Sequence, residues 1–284
     1  MGNIVVTGAS TGIGRATVAR LVDAGHTVFA GVRKQSDADD LAAEVRGVVP
    51  LLLDVTDVDQ VVAARATVDE AVGTAGLHGL VNNAGIAVGG PLEGVPLDEI
   101  RRQLEVNVTA QVGMTQAFLP LVRRATGRVV FTGSASGRAG IALMGPYTAS
   151  KYAIEGLAES WRAELAPWGI KVVVVEPGPI KTPIWDKAHG EMDAIADSLS
   201  PEARELYADH LAKIPKFVRR QKLTAVSAKR VARVMEKALF SPRPRARYLV
   251  GPQANGLGVM ARVFPDSAKA AVVGVTTGAR MPKR

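Results

Sequence analysis

A doubly wound α/β sheet of parallel strands, Rossmann-type and folded as a single domain, is the architecture this chain predicts, and three observations predict it. Short runs rich in Val, Ile and Leu recur along the sequence, separated by helical patterns of about 10 to 25 residues. That is how strands buried on both faces alternate with the helices that cover them. The first run passes through a glycine-rich turn straight into a helical pattern. Residues of unusual chemistry (Gly8, Arg33, Asp54, Asn82, Ser134 and Pro177) each follow a different run. Ligands of open parallel sheets bind outside the carboxyl ends of the strands, so these placements imply one shared site.

In chain order, residues 3–7 form the first run, ending in Gly8-Ala-Ser-Thr-Gly12-Ile-Gly14, with Val18, Leu21 and Val22 marking the helix behind it. Residues 27–32 end at Arg33, 48–53 at Asp54, and 77–81 at Asn82-Asn83-Ala84-Gly85. One long helix is expected over 97–124, before the run 128–132 that ends at Gly133-Ser134. A helix then begins near Gly145, where Pro146 suits a first turn whose missing N–H costs nothing. It leads to 170–175, ending at Glu176-Pro177-Gly178, and a last helix over 228–239 precedes 247–251. No repeat or low-complexity linker interrupts the series.

Composition narrows the function classes. With 284 residues, 47% hydrophobic and 22% charged, the chain can bury a sizeable core. It has no cysteine, which excludes disulfides and thiolate metal sites and fits a reducing compartment. His26, His78, His189 and His210 have no ligand spacing, so no metal site is expected. The N-terminus runs directly into Ile4-Val5-Val6, leaving no room for a secretory signal, and Val6 stands where a myristoylation motif needs Ser or Thr. No apolar run reaches the ~18 residues of a membrane span. A cytoplasmic location is the resulting expectation. The formal charge of +8 is concentrated: residues 213–247 carry twelve Lys or Arg against Glu236 alone, leaving the remainder net acidic.

The glycine loop implies a dinucleotide. Glycines at 8, 12 and 14 let the backbone turn tightly and approach a pyrophosphate, and the N–H groups at the start of the following helix attract anions. After the second run, where NAD sites often carry a carboxylate, this chain has Arg33 and then Lys34. A guanidinium there suits the 2′-phosphate of NADP(H), with Ser10 or Thr11 as supporting donors, so NADP(H) is expected over NAD(H). The lesser alternative is that Arg33 is a solvated surface charge.

Tyr147 and Lys151 stand four residues apart, on one face of the expected helix. A tyrosine hydroxyl ordinarily titrates near pH ~10, and a neighbouring ammonium lowers that value toward acid/base usefulness. Taken in isolation, such a pair is an ordinary amphipathic helix face.

Taken together, Thr7-Gly8-x-x-x-Gly12-x-Gly14, Asp54-Val55, Asn82-Asn83-Ala84-Gly85, Asn107, Ser134, Tyr147-x-x-x-Lys151 and Pro177-Gly178 resemble, in order and spacing, the short single-domain branch of the short-chain dehydrogenase/reductase family. The resemblance covers residues 3–251. It implies an oxidoreductase with Tyr147 as general acid in ketone reduction and base in alcohol oxidation. Lys151 would lower the tyrosine pKa and bond the nicotinamide ribose, Ser134 would hold the substrate oxygen, and Asn107 would support a proton-carrying water chain. Asp54 would bond the adenine amine, Asn82 would lie against the adenosine ribose, and Thr182 would bond the carboxamide. Ile13, Val55, Ala84, Gly85, Pro177, Gly178 and Ile180 would complete the dinucleotide contacts.

By the same resemblance, residues 184–222 form a helical flap over the substrate; 252–284 lie beyond the resemblance as a C-terminal extension. Ile141, Met144, Ile184 and Trp185 are the expected substrate contacts. Their apolar character favours a lipophilic alcohol or ketone, of steroid or retinol type, although the same residues could pack inside the flap. The basic segment is a solvated face, or it meets an acidic partner. An acyl carrier protein would make the chain a 3-oxoacyl reductase, and an anionic lipid surface would mean peripheral membrane contact. Nucleic acid is not expected, since no stacking aromatics interleave the cations. The family also implies a homo-oligomer, dimer or tetramer. A non-catalytic dinucleotide sensor would be expected to lack one of Asn107, Ser134, Tyr147 and Lys151, and all are present.

Overall fold

The computed structural model describes residues 1–182 and 184–265, with the side chains of 184–189, 191, 217 and 220 outside that description. The strands are β1 (Asn3–Val6), β2 (Thr27–Val32), β3 (Val49–Leu52), β4 (Gly79–Asn82), β5 (Arg128–Thr132), β6 (Lys171–Pro177), β7 (Ile180–Lys181), β8 (Val226–Ser227) and β9 (Arg247–Val250). The helices are α1 (Gly12–Asp23), α2 (Gln35–Glu44), α3 (Val58–Val72), α4 (Leu97–Leu104), α5 (Ala110–Arg124), α6 (Gly145–Leu165), α7 (Ile184–Asp197), α8 (Pro201–Leu211), α9 (Ile214–Thr224), α10 (Ala228–Phe240) and α11 (Pro252–Val263).

Seven strands pair in the order β3-β2-β1-β4-β5-β6-β9, every pair parallel. The chain steps outward from β1 to β3, crosses back to β4 on the other side of β1, and steps outward again. β1 and β4 are therefore the switch point, where the loops leaving adjacent strands diverge and open a crevice.

Period-two alternation decides which face each strand residue joins. Ile4 and Val6 pack with Val18, Leu21, Val231 and Met235, so α1 and α10 cover one face. Val5, between them, packs with Val68, Phe118 and Ile154 beneath α3, α5 and α6 on the other. Both sides of β1 are fully buried, which is why its sequence is continuously apolar rather than alternating. Each such side chain contributes roughly 1.5–3 kcal/mol of burial.

The single helix expected over 97–124 is divided. A π-helical turn, Glu105–Thr109, separates α4 from α5 and turns Asn107 inward to full burial. A π turn accommodates one extra residue per turn. Here the re-aimed residue is an amide whose bonds go to backbone outside the helix: Ile86 N–H donates to its Oδ1 at 2.9 Å and its Nδ2 donates to Ile86 O at 3.0 Å.

The segment expected as a flap is made of α7, α8 and α9, which leave and return through a short parallel pair, Ile180 with Val226 and Lys181 with Ser227. Among the described residues no helix is long and apolar enough to cross a membrane.

Gly14 illustrates how tightly the first turn of α1 sits on the sheet. A Cβ there would lie 2.1 Å from Gly8 O and 2.7 Å from Asn83 Nδ2. Gly14→Ala is therefore expected to destabilise the protein by about 3 kcal/mol through overpacking against backbone that cannot yield. Urea unfolding checks this; an unchanged midpoint would show that the turn relaxes freely.

Candidate active site

The loops after β1 and β4 are stitched together around one threonine. Thr7 Oγ1 accepts from Asn83 N–H at 2.9 Å and Ala84 N–H at 3.0 Å. In return Asn83 Nδ2 donates to Thr7 O at 3.0 Å and Gly8 O at 3.1 Å. Gly8 (φ 63°) and Gly12 (φ 60°) take left-handed conformations that favour glycine. The side chain of Thr11 does not cap α1, so the helix N-terminus offers its N–H groups to the crevice, an arrangement that binds phosphate.

A cleft of about 550 Å³ follows the carboxyl edge of the sheet. Its walls run from Arg33 and Asp54, after β2 and β3, past the glycine loop, to Ser134, Tyr147, Lys151 and Pro177 on the far side. Arg33 is exposed and makes no hydrogen bond or ion pair among the described residues. Asp54 Oδ1 accepts from Thr56 N–H at 3.0 Å and Thr56 Oγ1 at 2.7 Å.

At the far side, the end of β5 meets the start of α6. Ser134 hydrogen-bonds the Tyr147 hydroxyl, and Ser134 Oγ also accepts from Ser136 N–H at 3.1 Å. Lys151 Nζ donates to Thr132 O at 2.8 Å and lies 5.6 Å from the centre of the Tyr147 ring. Behind them Ser150 Oγ donates to Tyr147 O at 2.7 Å and accepts from Asn107 Nδ2 at 3.1 Å, which ties the π turn to the tyrosine's own backbone.

Electrostatics here differ from expectation in one respect. Burial pushes the Tyr147 hydroxyl above its ordinary value, and the Ser134 hydrogen bond pulls it partly back. Lys151 itself is brought down to about 8 by burial, opposed by the carboxylate of Glu155. Desolvation disfavours both charged forms, so the lysine's expected lowering of the tyrosine does not dominate in the protein alone.

Of the expected dinucleotide contacts, Gly8, Ser10, Thr11, Gly12, Ile13, Arg33, Asp54, Val55, Ala84, Gly85, Pro177, Gly178, Ile180 and Thr182 all line the cleft. Two others, Asn82 and Gly14, do not line it. Asn82 is the last residue of β4; its alternation turns the fully buried side chain away from the cleft, where Nδ2 donates to Thr115 Oγ1 at 2.9 Å. Asn83 lines the cleft instead. Gly14 packs beneath the loop, where a Cβ would lie 2.1 Å from Gly8 O.

On the substrate side Ile141 lines the cleft, and Met144 is buried in the apolar cluster around Tyr147 with Ala87, Met192 and Ile214. Ile184 and Trp185 begin α7, and their side chains lie outside the described residues. Sequence reasoning missed Gln221 of α9 and Gln253 and Leu257 of α11, which also line the cleft. The stretch expected to be a peripheral extension thus closes part of the site. The Gly251-Pro252 helix start was its only signal.

The family comparison agrees with this geometry. Residues 2–193 match the model of the family described as short chain dehydrogenase. The chain belongs to the short-chain dehydrogenase family. Among the relatives of this short-chain dehydrogenase is an NADPH-dependent 3-dehydrocapnine reductase of Ornithobacterium rhinotracheale, 35% identical over 268 residues, 92% of each chain. Human retinol dehydrogenase 5 is 34% identical over 279 residues, covering 95% of this chain and 87% of that one. Two solved short-chain dehydrogenases, each 25% identical, superpose well. One from Burkholderia cenocepacia in complex with NADP has a TM-score of 0.75 and covers 96% of this chain and 97% of its own. One from Burkholderia phymatum in complex with NAD has a TM-score of 0.76 and covers 92% of both. The protein is a dinucleotide-dependent oxidoreductase acting on CH–OH groups.

Proposed function

We propose that this dehydrogenase transfers a hydride between NADP(H) and a lipophilic carbonyl or alcohol, with Tyr147 as the proton donor and acceptor. The observation that carries the reading is the convergence of Ser134, Tyr147 and Lys151 on one end of a cleft whose other end holds Arg33.

The cleft fits such a dinucleotide on its own chemistry. Uncapped N–H groups of α1 suit the pyrophosphate, and a Cβ at Gly12 would come within 3.0 Å of Thr182 Cγ2, closing the passage between loop and cleft wall. Arg33 would pair the 2′-phosphate, while Tyr147, Lys151 and Thr182 would hold the nicotinamide half. When bound, the nicotinamide supplies or accepts the hydride. The protein's part is to place two hydroxyls, those of Ser134 and Tyr147, on the carbonyl oxygen. There they stabilise the charge that develops as the C–H bond forms, and Tyr147 delivers the proton. Lys151 attracts charge onto the tyrosine oxygen, and the Asn107–Ser150–Tyr147 chain of bonds holds the start of α6 in place for that transfer.

The lipophilic substrate is supported by the apolar cluster around Tyr147 (Ala87, Met144, Met192, Ile214) and by Ile141 and Leu257 on the cleft wall. Retinol dehydrogenases among the relatives act on an alcohol of that kind. The NADP(H) preference is supported by Arg33 and by the NADPH-dependent relative.

Arg33→Ala tests the cofactor assignment. It is expected to weaken NADPH binding by about 1.5–3 kcal/mol, the value of a hydrogen bond to a charged group, and to leave NADH binding nearly unchanged. Fluorescence titration with both dinucleotides measures it. Equal effects on the two would refute the role of Arg33, and consumption of NADPH with no lipophilic ketone or aldehyde would refute the substrate class.

A further inference from the structure

One turn beyond Lys151, on the same face of α6, Glu155 is 8% exposed and has no part in the roles assigned so far. It lies where two glycines leave room for it. A Cβ at Gly133 would stand 3.3 Å from Glu155 Oε1, and one at Gly137 would stand 3.4 Å from its Cγ and 2.9 Å from Lys151 O. Those glycines flank Ser134, so the loop that carries the serine rests directly on Lys151 and Glu155. Arg247, at the start of β9, donates from Nε to Glu155 Oε2 at 2.8 Å and pairs also with Glu159. Arg138, at the end of the serine loop, is 3.8 Å from Glu155 and binds Glu176 with two prongs, at 2.9 and 2.8 Å. Glu176 is fully buried and immediately precedes Pro177 and Gly178 of the cleft wall.

A buried ion network is an inefficient way to gain stability, since apolar residues of the same volume commonly do as well or better. This one ties α6, the serine loop and β6, which reach the catalytic end of the cleft, to the neighbouring edge strand β9. We propose that Glu155 is a positioning residue for hydride transfer: its carboxylate, fixed by Arg247 and Arg138, supports the Ser134 loop, and its charge acts across one helical turn on the Lys151 ammonium, which it does not touch. The inference rests on the proposed roles of Tyr147 and Lys151.

The charged groups around Glu155 are Arg138 on the serine loop, Glu176 on β6 and Arg247 on β9, with Lys151 and Arg162 at longer range on α6 and Glu159 on the far side of Arg247. Burial and Glu176 push its carboxyl upward, and Arg247 and Arg138 draw it back. For Lys151, Glu155 is the one charge opposing the effect of burial. Removing that charge while keeping the shape should leave the lysine easier to deprotonate.

The test is Glu155→Gln, with the Lys151 titration followed by NMR of isotope-labelled lysine and, in parallel, the pH profile of NADPH-dependent reduction. The lysine midpoint is expected to fall by on the order of one pH unit, and the alkaline limb of kcat to move with it while KM stays near that of the wild type. An unshifted midpoint, or a uniform loss of rate at every pH, would overturn the positioning role. Because the lysine midpoint is read without turnover, it decides the inference even if no carbonyl substrate is reduced, an outcome that would instead count against the proposed reaction. Should Glu155→Gln not fold, Glu155→Asp, which withdraws the charge by one methylene, should lower the midpoint by a smaller amount. No movement there equally overturns the proposal.

Discussion

Tyr147→Phe is expected to lower kcat/KM for carbonyl reduction by roughly 10³-fold, the middle of the range for losing a positioned acid or base, with NADPH affinity falling by no more than about tenfold, the worth of one lost hydrogen bond. The substitution keeps the ring that packs against Ala87, Met144, Met192 and Ile214, so the apolar cluster persists and folding is preserved. What is lost is the hydroxyl that Ser134 hydrogen-bonds. Steady-state kinetics with a lipophilic aldehyde, beside a dinucleotide titration, separate the two effects. Turnover near the wild-type rate would remove Tyr147 from the proton path.

Lys151→Met is expected to act in opposite directions on rate and on stability. Without the ammonium, reduction should slow by about 10²-fold or more, because charge no longer accumulates readily on the tyrosine oxygen. Stability of the cofactor-free protein should rise. The folded pKa of about 8 lies below the ordinary 10.5, so the unfolded chain holds the proton more tightly. At pH 7 keeping Lys151 charged therefore destabilises the fold by about 3 kcal/mol. Met gives up the ammonium's bond to Thr132 O, worth about 1.5–3 kcal/mol as a bond to a charged group, for a net gain of about 1 kcal/mol. The penalty on the wild type is full below pH 8 and shrinks as pH rises toward 10.5, so the advantage of the variant should shrink over the same window. Denaturant unfolding of both proteins from pH 7 to pH 10.5 measures the difference. A variant less stable than the wild type at pH 7 would mean that the lysine is not strained by its burial.

The strands were legible because β1, β5 and β6 are buried on both faces, and a continuous Val/Ile run bounded by Gly or Pro leaves little else to be. The glycine loop and the Tyr147–Lys151 spacing were legible for a related reason, since each is a local pattern with a local geometric consequence. Asn82 and Asn83 could not be told apart, because their roles depend on which face the final residue of β4 takes, and that is set by pairing with β5. The π turn at Asn107 was equally hidden. Its driving force is a pair of bonds to Ile86, distant in sequence, and helical periodicity does not register them. Arg247 looked like one cation of a basic stretch, yet it turns inward to Glu155 and Glu159. Only the strand order brings those groups together.

On the proposed reading, a hydride passes in this cleft from the nicotinamide to a lipophilic carbonyl while Tyr147 supplies the proton. The most direct measurement uses NADPH deuterated at the transferable ring position, mixed with the enzyme and retinaldehyde or a related apolar aldehyde, with the product analysed by mass spectrometry. One deuterium is expected on the carbinol carbon of the alcohol formed by the wild type, with scarcely any such product from Tyr147→Phe. Alcohol formed without the label, or label transferred equally well by the phenylalanine variant, would contradict it.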